Sequence, residues 1–309
     1  MRARLVAVGL LAGAGMASGG LAETMRMDRD VQNVRLALAV WQALDLDVAE
    51  QARGFGLRGR LQALAACRVR RERAPESERE REAAEFERLR TSLLSLAEPL
   101  RPRLRETQAL RQVRLEPDNT IRCDDPAPLA VWAESGGPAP RRFYLLEIEN
   151  RREREAACRL QGPGTNGARA ALVDGHRCFF SLLDPDTFDE TPLPAAPDPG
   201  FKLAVPAGKT ASVLLSLRVG SEPDPGDLRL TVEGAGGGPA GVAWKFALRP
   251  TRRLDLEFRE AGADAPAPCS VKIVDGEGWV YVPEFDAARS LVLGSGNQFY
   301  CPGRVAGLC

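Results

Sequence analysis

The chain has 309 residues, 44% hydrophobic and 27% charged, which is ordinary for a soluble globular protein and leaves room for about two domains. Its 42 basic and 42 acidic residues cancel, so no overall field draws it to nucleic acid or to an anionic membrane. One histidine, His176, is too few for an HExxH protease or a histidine-rich zinc centre.

Residues 1–22 read as a secretory signal peptide. Arg2 and Arg4 give the positive start, Leu5 to Met16 is an uncharged apolar run, and Gly20-Leu21-Ala22 supplies small residues for cleavage. The run falls short of the ~20 residues of a spanning helix. Loss of Arg2 and Arg4 leaves 40 basic residues against 42 acidic ones. The expected location is periplasmic or secreted, with no integral membrane segment after cleavage. All seven cysteines follow the signal: Cys67, Cys123, Cys158, Cys178, Cys269, Cys301 and Cys309. Disulfides are therefore expected, with at least one thiol left over. The candidate pairings are Cys158–Cys178 and Cys269–Cys301.

Residues 23–114 read as a helical region. Val31, Val34, Leu38 and Trp41 recur at steps of three and four. Gly54-Phe55-Gly56 predicts a break, with a second helix from Leu57 to Arg71. Ala74-Pro75 predicts another break, then a third helix from Glu76 to Ala97 with Phe86, Leu89, Leu93 and Leu96 as its apolar stripe. The charge run Ser77 to Glu82 reads as a solvated face. Pro99 and Pro102 end or kink that helix. The expected arrangement is a small antiparallel bundle.

Residues 115–140 are proline-rich and read as a linker, with a strand-like piece at Leu129 to Trp132. Residues 141–250 read as an antiparallel β-sandwich. Tyr144, Leu146 and Ile148 alternate up to Asn150; Ala156, Cys158 and Leu160 alternate next; then Cys178, Phe180 and Leu182. Phe201, Leu203 and Val205 meet Val213, Leu215, Leu217 and Val219 across Pro206-Ala207-Gly208-Lys209, which reads as a hairpin turn. Leu228, Leu230 and Val232, and then Trp244, Phe246 and Leu248, complete the set. Residues 251–309 read as an incomplete β module, with Cys269 to Pro283 forming two strands joined around Asp275-Gly276-Glu277-Gly278. The fold class is thus α+β multidomain: a helical bundle, an antiparallel Ig-like sandwich and a short β appendage.

The series YLLEIEN, PAGKTASVLLSLRV and PDPGDLRLTV, within Phe143 to Val232, resembles bacterial extracytoplasmic Ig-like modules of the CARDB and alpha-galactosidase-associated type. CSVKIVDGEGWVYVP and GNQFYCPG resemble the opening of a carboxypeptidase-regulatory-like sandwich, of a kind that precedes some secreted PHP-type metal-dependent hydrolases. The first resemblance implies positioning or surface binding without catalysis. The second implies an end at Cys309 that is naturally shortened, frameshifted or strand-sharing.

Candidate chemistries fall away on inspection. His176 sits two residues before Cys178 beside an Asp-Gly turn and reads as a surface residue; i and i+2 on a strand stand about 7 Å apart, too far for a thiol–imidazole pair. Gly294-Ser295-Gly296 is not GxSxG. Asp184, Asp186, Asp189 and Glu190 lack EF-hand spacing and read as a solvated loop. Gly162 to Gly167 and Gly234 to Gly241 lack the Lys-Ser/Thr of a phosphate loop. No catalytic, metal or cofactor residue is assigned. The expected function is an exported, non-catalytic binding or scaffolding protein whose partner is a protein or a cell-surface glycan. The alternative is a truncated or accessory part of a secreted metal-dependent hydrolase. A carboxylate-only enzyme, marked by paired acids in a concave pocket, is a third reading.

Overall fold

The computed structural model describes residues 29–133, 142–162, 179–183, 190–192, 201–218, 227–233, 240–250, 254–262, 265–281, 299–301 and 303–308. Residues 1–28, His176, Cys178, Asp184 to Asp189, Gly294 to Gly296 and Cys309 lie outside them.

Among the described residues, four helices precede the strands: α1 (Arg29–Trp41), α2 (Val48–Arg73), α3 (Glu76–Ala97) and α4 (Leu100–Glu106). Val31, Val34, Leu38 and Trp41 are all buried, as their spacing requires. The expected break at Gly54-Phe55-Gly56 does not occur, and α2 runs through it. A glycine in a helix interior costs only about 1 kcal/mol. Against that stands a capping box at the start, where Asp47 Oδ1 accepts from Glu50 N at 2.7 Å and Glu50 Oε2 accepts from Asp47 N at 3.0 Å. Arg70, Arg71 and Arg73 fall in the last turn, where cations suit the helix dipole. The α3 helix spans the expected residues, with Phe86, Leu89 and Leu93 buried. Its charge run is exposed except for Glu82, which accepts from Arg70 Nε at 3.2 Å on α2.

The strands form two main sheets. One has six strands, ordered β2 (Ile121–Cys123), β1 (Leu110–Leu115), β4 (Arg142–Asn150), β9 (Thr210–Arg218), β6 (Phe179–Leu183) and β7 (Glu190–Pro192). The other has five, ordered β3 (Leu129–Ala133), β11 (Ala240–Pro250), β10 (Asp227–Val232), β5 (Ala156–Gln161) and β8 (Phe201–Val205). Val113, Tyr144, Leu146, Ile148, Val213 and Leu215 of the first sheet share one core with Leu160, Val205, Leu228, Leu230 and Trp244 of the second. The outer face of the six-stranded sheet carries Leu110, Leu145 and Leu214, which pack into the core of the helices. The protein is thus α+β in three layers: helices, six-stranded sheet, five-stranded sheet.

Three sequence expectations need correction. The 115–140 stretch is more than a linker; its expected strand-like piece is β3, and it also supplies the unexpected β2, one to each sheet. The sheets are not wholly antiparallel, because β1 runs parallel to β4 and β3 parallel to β11. Such pairs need long connections, and residues 116–141 provide the one between β1 and β4. The Pro206–Lys209 turn does not close a hairpin. Its strand β8 pairs with β5 in one sheet and β9 pairs with β4 and β6 in the other, so the turn arches between sheets. Gly208 takes φ +64° there, and Lys209 N donates to Pro206 O at 3.2 Å.

The C-terminal residues form three two-stranded pairs: β12 (Leu254–Glu257) with β17 (Arg304–Leu308), β13 (Cys269–Val271) with β16 (Phe299–Cys301), and β14 (Ile273–Val274) with β15 (Val280–Tyr281). The last is the hairpin expected around Asp275–Gly278. Gly278 at φ +83° makes that turn, with Asp275 Oδ1 accepting from Glu277 N at 2.8 Å and Trp279 N at 2.9 Å.

Candidate functional site

The central strand β4 is buried on both faces and carries three buried polar side chains, Arg142, Glu147 and Asn150. Each reaches into a different layer. Glu147 accepts from Arg101 Nε of α4 at 3.1 Å and from Gln112 Nε2 of β1 at 2.9 Å, tying the helices to the sheet. Asn150 donates to Val205 O of β8 at 2.8 Å, tying one sheet to the other. Arg142 pairs with Glu277 and, at 3.5 Å, with Asp275, both from the β14–β15 turn.

Arg142 also lies over the Trp279 ring, 4.8 Å from its centroid, within cation–π range. Trp279 tilts against Tyr144 at 6.2 Å, and Arg111 lies over the other ring of this series, Tyr144, at 5.6 Å. The result is a buried column of cation, aromatic, aromatic and cation. Its outer cations are neutralised: Arg111 pairs with Asp125, and Glu277 also takes Arg249 at 2.9 Å. The turn clasps the helices as well. Asp45 N donates to Gly278 O at 2.8 Å, Val280 N donates to Ala43 O at 3.1 Å, and Lys272 pairs with Asp45. Trp279 thereby joins the core of the helices beside Leu44.

Burial pushes the Tyr144 hydroxyl up to about 12, while the hydroxyl donates to Ala130 O at 2.6 Å. The ordinary value is about 10, so the folded state keeps a proton that the unfolded state releases. The stabilisation is complete below about pH 10 and is lost as pH rises toward 12, amounting to roughly 2–3 kcal/mol. In an alkaline absorbance titration one of the three tyrosines should ionise about two pH units late. Tyr144→Phe should abolish that late step; a titration unchanged by the substitution would refute the assignment.

The described cysteines are thiols. Cys67 is fully buried between α2 and α3, and burial raises its pKa. Burial likewise raises the pKa of Cys123 and pushes that of Cys158 up to about 11. These shifts favour the unreactive protonated form. Cys158 faces the core between the sheets, and its expected partner Cys178 is outside the described residues. Cys269 and Cys301 stand directly opposite each other on β13 and β16, and burial, with a lesser contribution from the neighbouring Cys301 thiol, raises the Cys269 pKa. Among the described residues no group of three or more His, Cys, Asp or Glu side chains is placed to hold a metal, and no helix is long and apolar enough to cross a membrane.

A groove of about 410 Å³ opens between α2 and α3, lined by Arg53, Arg60, Ser92, Ser95, Leu96 and Pro99. Leu96 and Pro99 are legible in the sequence only as a stripe residue and a helix end, and nothing marks Arg53 and Arg60, because arginine is common throughout the chain.

No family model matches the chain, and no curated protein matches it. Among solved structures it is similar to the ASH/PapD-like domain of human CEP192 (PapD-like domain 7), at 9% identity and a TM-score of 0.22, over 40% of this chain and 82% of that one. It is also similar to Fet3p, a multicopper oxidase that functions in iron import, at 10% identity and a TM-score of 0.24, over 56% of this chain and 37% of that one.

Proposed function

We propose that the chain is an exported, non-catalytic binding or scaffolding protein in which an Ig-like sandwich and a small helical bundle form one rigid frame. The observation that carries this reading is the clasp around Arg142. Ion pairs to the buried Arg142 and a buried aromatic column lock the β14–β15 turn to the sheet and to the helices at once. Such cross-layer contacts fix the presentation of a surface, which suits a protein that holds a partner. The partner class is a protein or a cell-surface glycan. Export is supported by the positive, apolar and small-residue segments of residues 1–22 and by Cys269 facing Cys301. Directly opposed residues on antiparallel strands stand about 4.5–5.5 Å apart at Cα, inside the range a disulfide spans. Exchange with an oxidoreductase disulfide would take two electrons and two protons from the two thiols and return the oxidant as a dithiol.

The test is expression of the full chain in a bacterial host with a periplasm, followed by fractionation, non-reducing peptide mapping and affinity capture. The expected result is a chain beginning at Glu23, a Cys269–Cys301 linked peptide, and capture of a partner or glycan that survives washing. An uncleaved cytoplasmic chain, or turnover of a hydrolase substrate by the purified chain, would overturn the reading.

A further inference from the structure

We infer that the groove between α2 and α3 is a binding site for a phosphoryl-bearing anion; this deepens the proposed binding role by naming a ligand class. Arg53 and Arg60 are seven residues apart on α2, so they lie on nearly the same line of the helix surface, about 10 Å apart along its axis. Both are half-buried, and among the described residues neither has an ion-pair partner. By contrast, Arg68 and Arg70 of α2 and Arg81, Arg88 and Arg90 of α3 have acidic partners, while Arg58 and Arg71 of α2 lie over the Phe55 and Phe86 rings. Ser92 and Ser95 of α3 line the same groove. The lining therefore offers two cations and two hydroxyl donors and no carboxylate. Forked guanidiniums match groups with several acceptor oxygens, which a phosphoryl group carries.

Gly56 supports the same reading. It lies between the two arginines on α2, and a Cβ there would stand 3.3 Å from Leu96 Cδ2 of α3. It sits in a helix interior, with no unusual backbone angle to require glycine. The missing side chain keeps the helices close and the space between the guanidiniums open.

The test is calorimetric titration of the mature chain with inorganic phosphate and with pyrophosphate at low ionic strength, since salt screens exposed charge. Vesicles of phosphatidylglycerol and of phosphatidylcholine form a second arm. Saturable binding is expected, weakened about tenfold or more by Arg53→Gln or Arg60→Gln. Gly56→Leu, which fills the groove while keeping a good helix former, should weaken it as well. Circular dichroism of each variant checks that the helices persist. Binding to phosphatidylglycerol vesicles alone, lost in the arginine variants, would identify a lipid headgroup as the source of the phosphoryl group. No binding by the parent chain, or binding undiminished in Arg53→Gln/Arg60→Gln, would overturn the inference. Either failure would leave the outcome of the fractionation and capture experiment untouched.

Discussion

Replacing Trp279 by alanine is expected to lower the free energy of unfolding by about 3–5 kcal/mol, the usual cost of deleting a buried aromatic side chain. Trp279 is only 5% exposed although it lies in a short turn. Its ring tilts against Tyr144 of the sheet and lies against the Arg142 guanidinium, and it shares a core with Leu44 just past α1. The backbone bonds from Asp45 and Val280 would survive the substitution, so the loss reports on the side chain. A companion variant tests the charge half of the clasp. Glu277→Ala leaves buried Arg142 with only Asp275 at 3.5 Å. An under-compensated buried charge should cost about 3 kcal/mol. Adding Arg142→Met to Glu277→Ala should then recover stability, because the orphaned charge is gone and the methionine packs on Trp279. Urea unfolding followed by fluorescence measures all three. A loss below about 1 kcal/mol for Trp279→Ala would mean that the turn is a surface appendage.

The sequence reveals elements here more readily than their partners. Period-two alternation placed β4, β5, β8, β9 and β10, and helical spacing placed α1 and α3, because those signals depend only on local burial. The pairing of β8 and β9 with different sheets was hidden, since a four-residue turn reads the same in a hairpin and in an arch. Strand β1 was hidden for a different reason. Its inward face reads Arg111, Val113, Leu115, and the arginine interrupts the apolar alternation. Arg111 is buried because Asp125 and the Tyr144 ring receive it, and both partners are distant in sequence. The clasp was partly legible. Asp275-Gly276-Glu277-Gly278 announced a turn, but nothing local showed that Glu277 and Trp279 would meet Arg142, more than 130 residues away in sequence. The groove was illegible as well, because the signal at Arg53 and Arg60 is their lack of acidic partners, which only the packing of α2 on α3 displays.

Asn150 yields the second large effect. It ends β4, is fully buried, and satisfies three backbone groups at once. Its Nδ2 donates to Arg154 O and Val205 O, each at 2.8 Å, and its Oδ1 accepts from Arg152 N at 3.1 Å. Alanine would strand all three groups in a dry corner. At about 1–3 kcal/mol for a stranded buried group, and with partial relaxation, the expected loss is about 3 kcal/mol. Asn150→Asp discriminates between lost volume and lost donor. It keeps the size and the acceptor for Arg152 N, but its carboxylate would face the carbonyls of Arg154 and Val205. Burial and those carbonyls would raise its pKa above the ordinary value near 3.9. A group raised in this way is favoured in the folded state while protonated, so its stability is retained at low pH and lost as pH rises through the folded pKa. The aspartate variant should therefore be less stable than the alanine variant at pH 7 and should recover part of the difference near pH 4. Urea midpoints at the two pH values measure this. An aspartate variant as stable as the parent at neutral pH would mean that the Val205 contact does not hold the two sheets together.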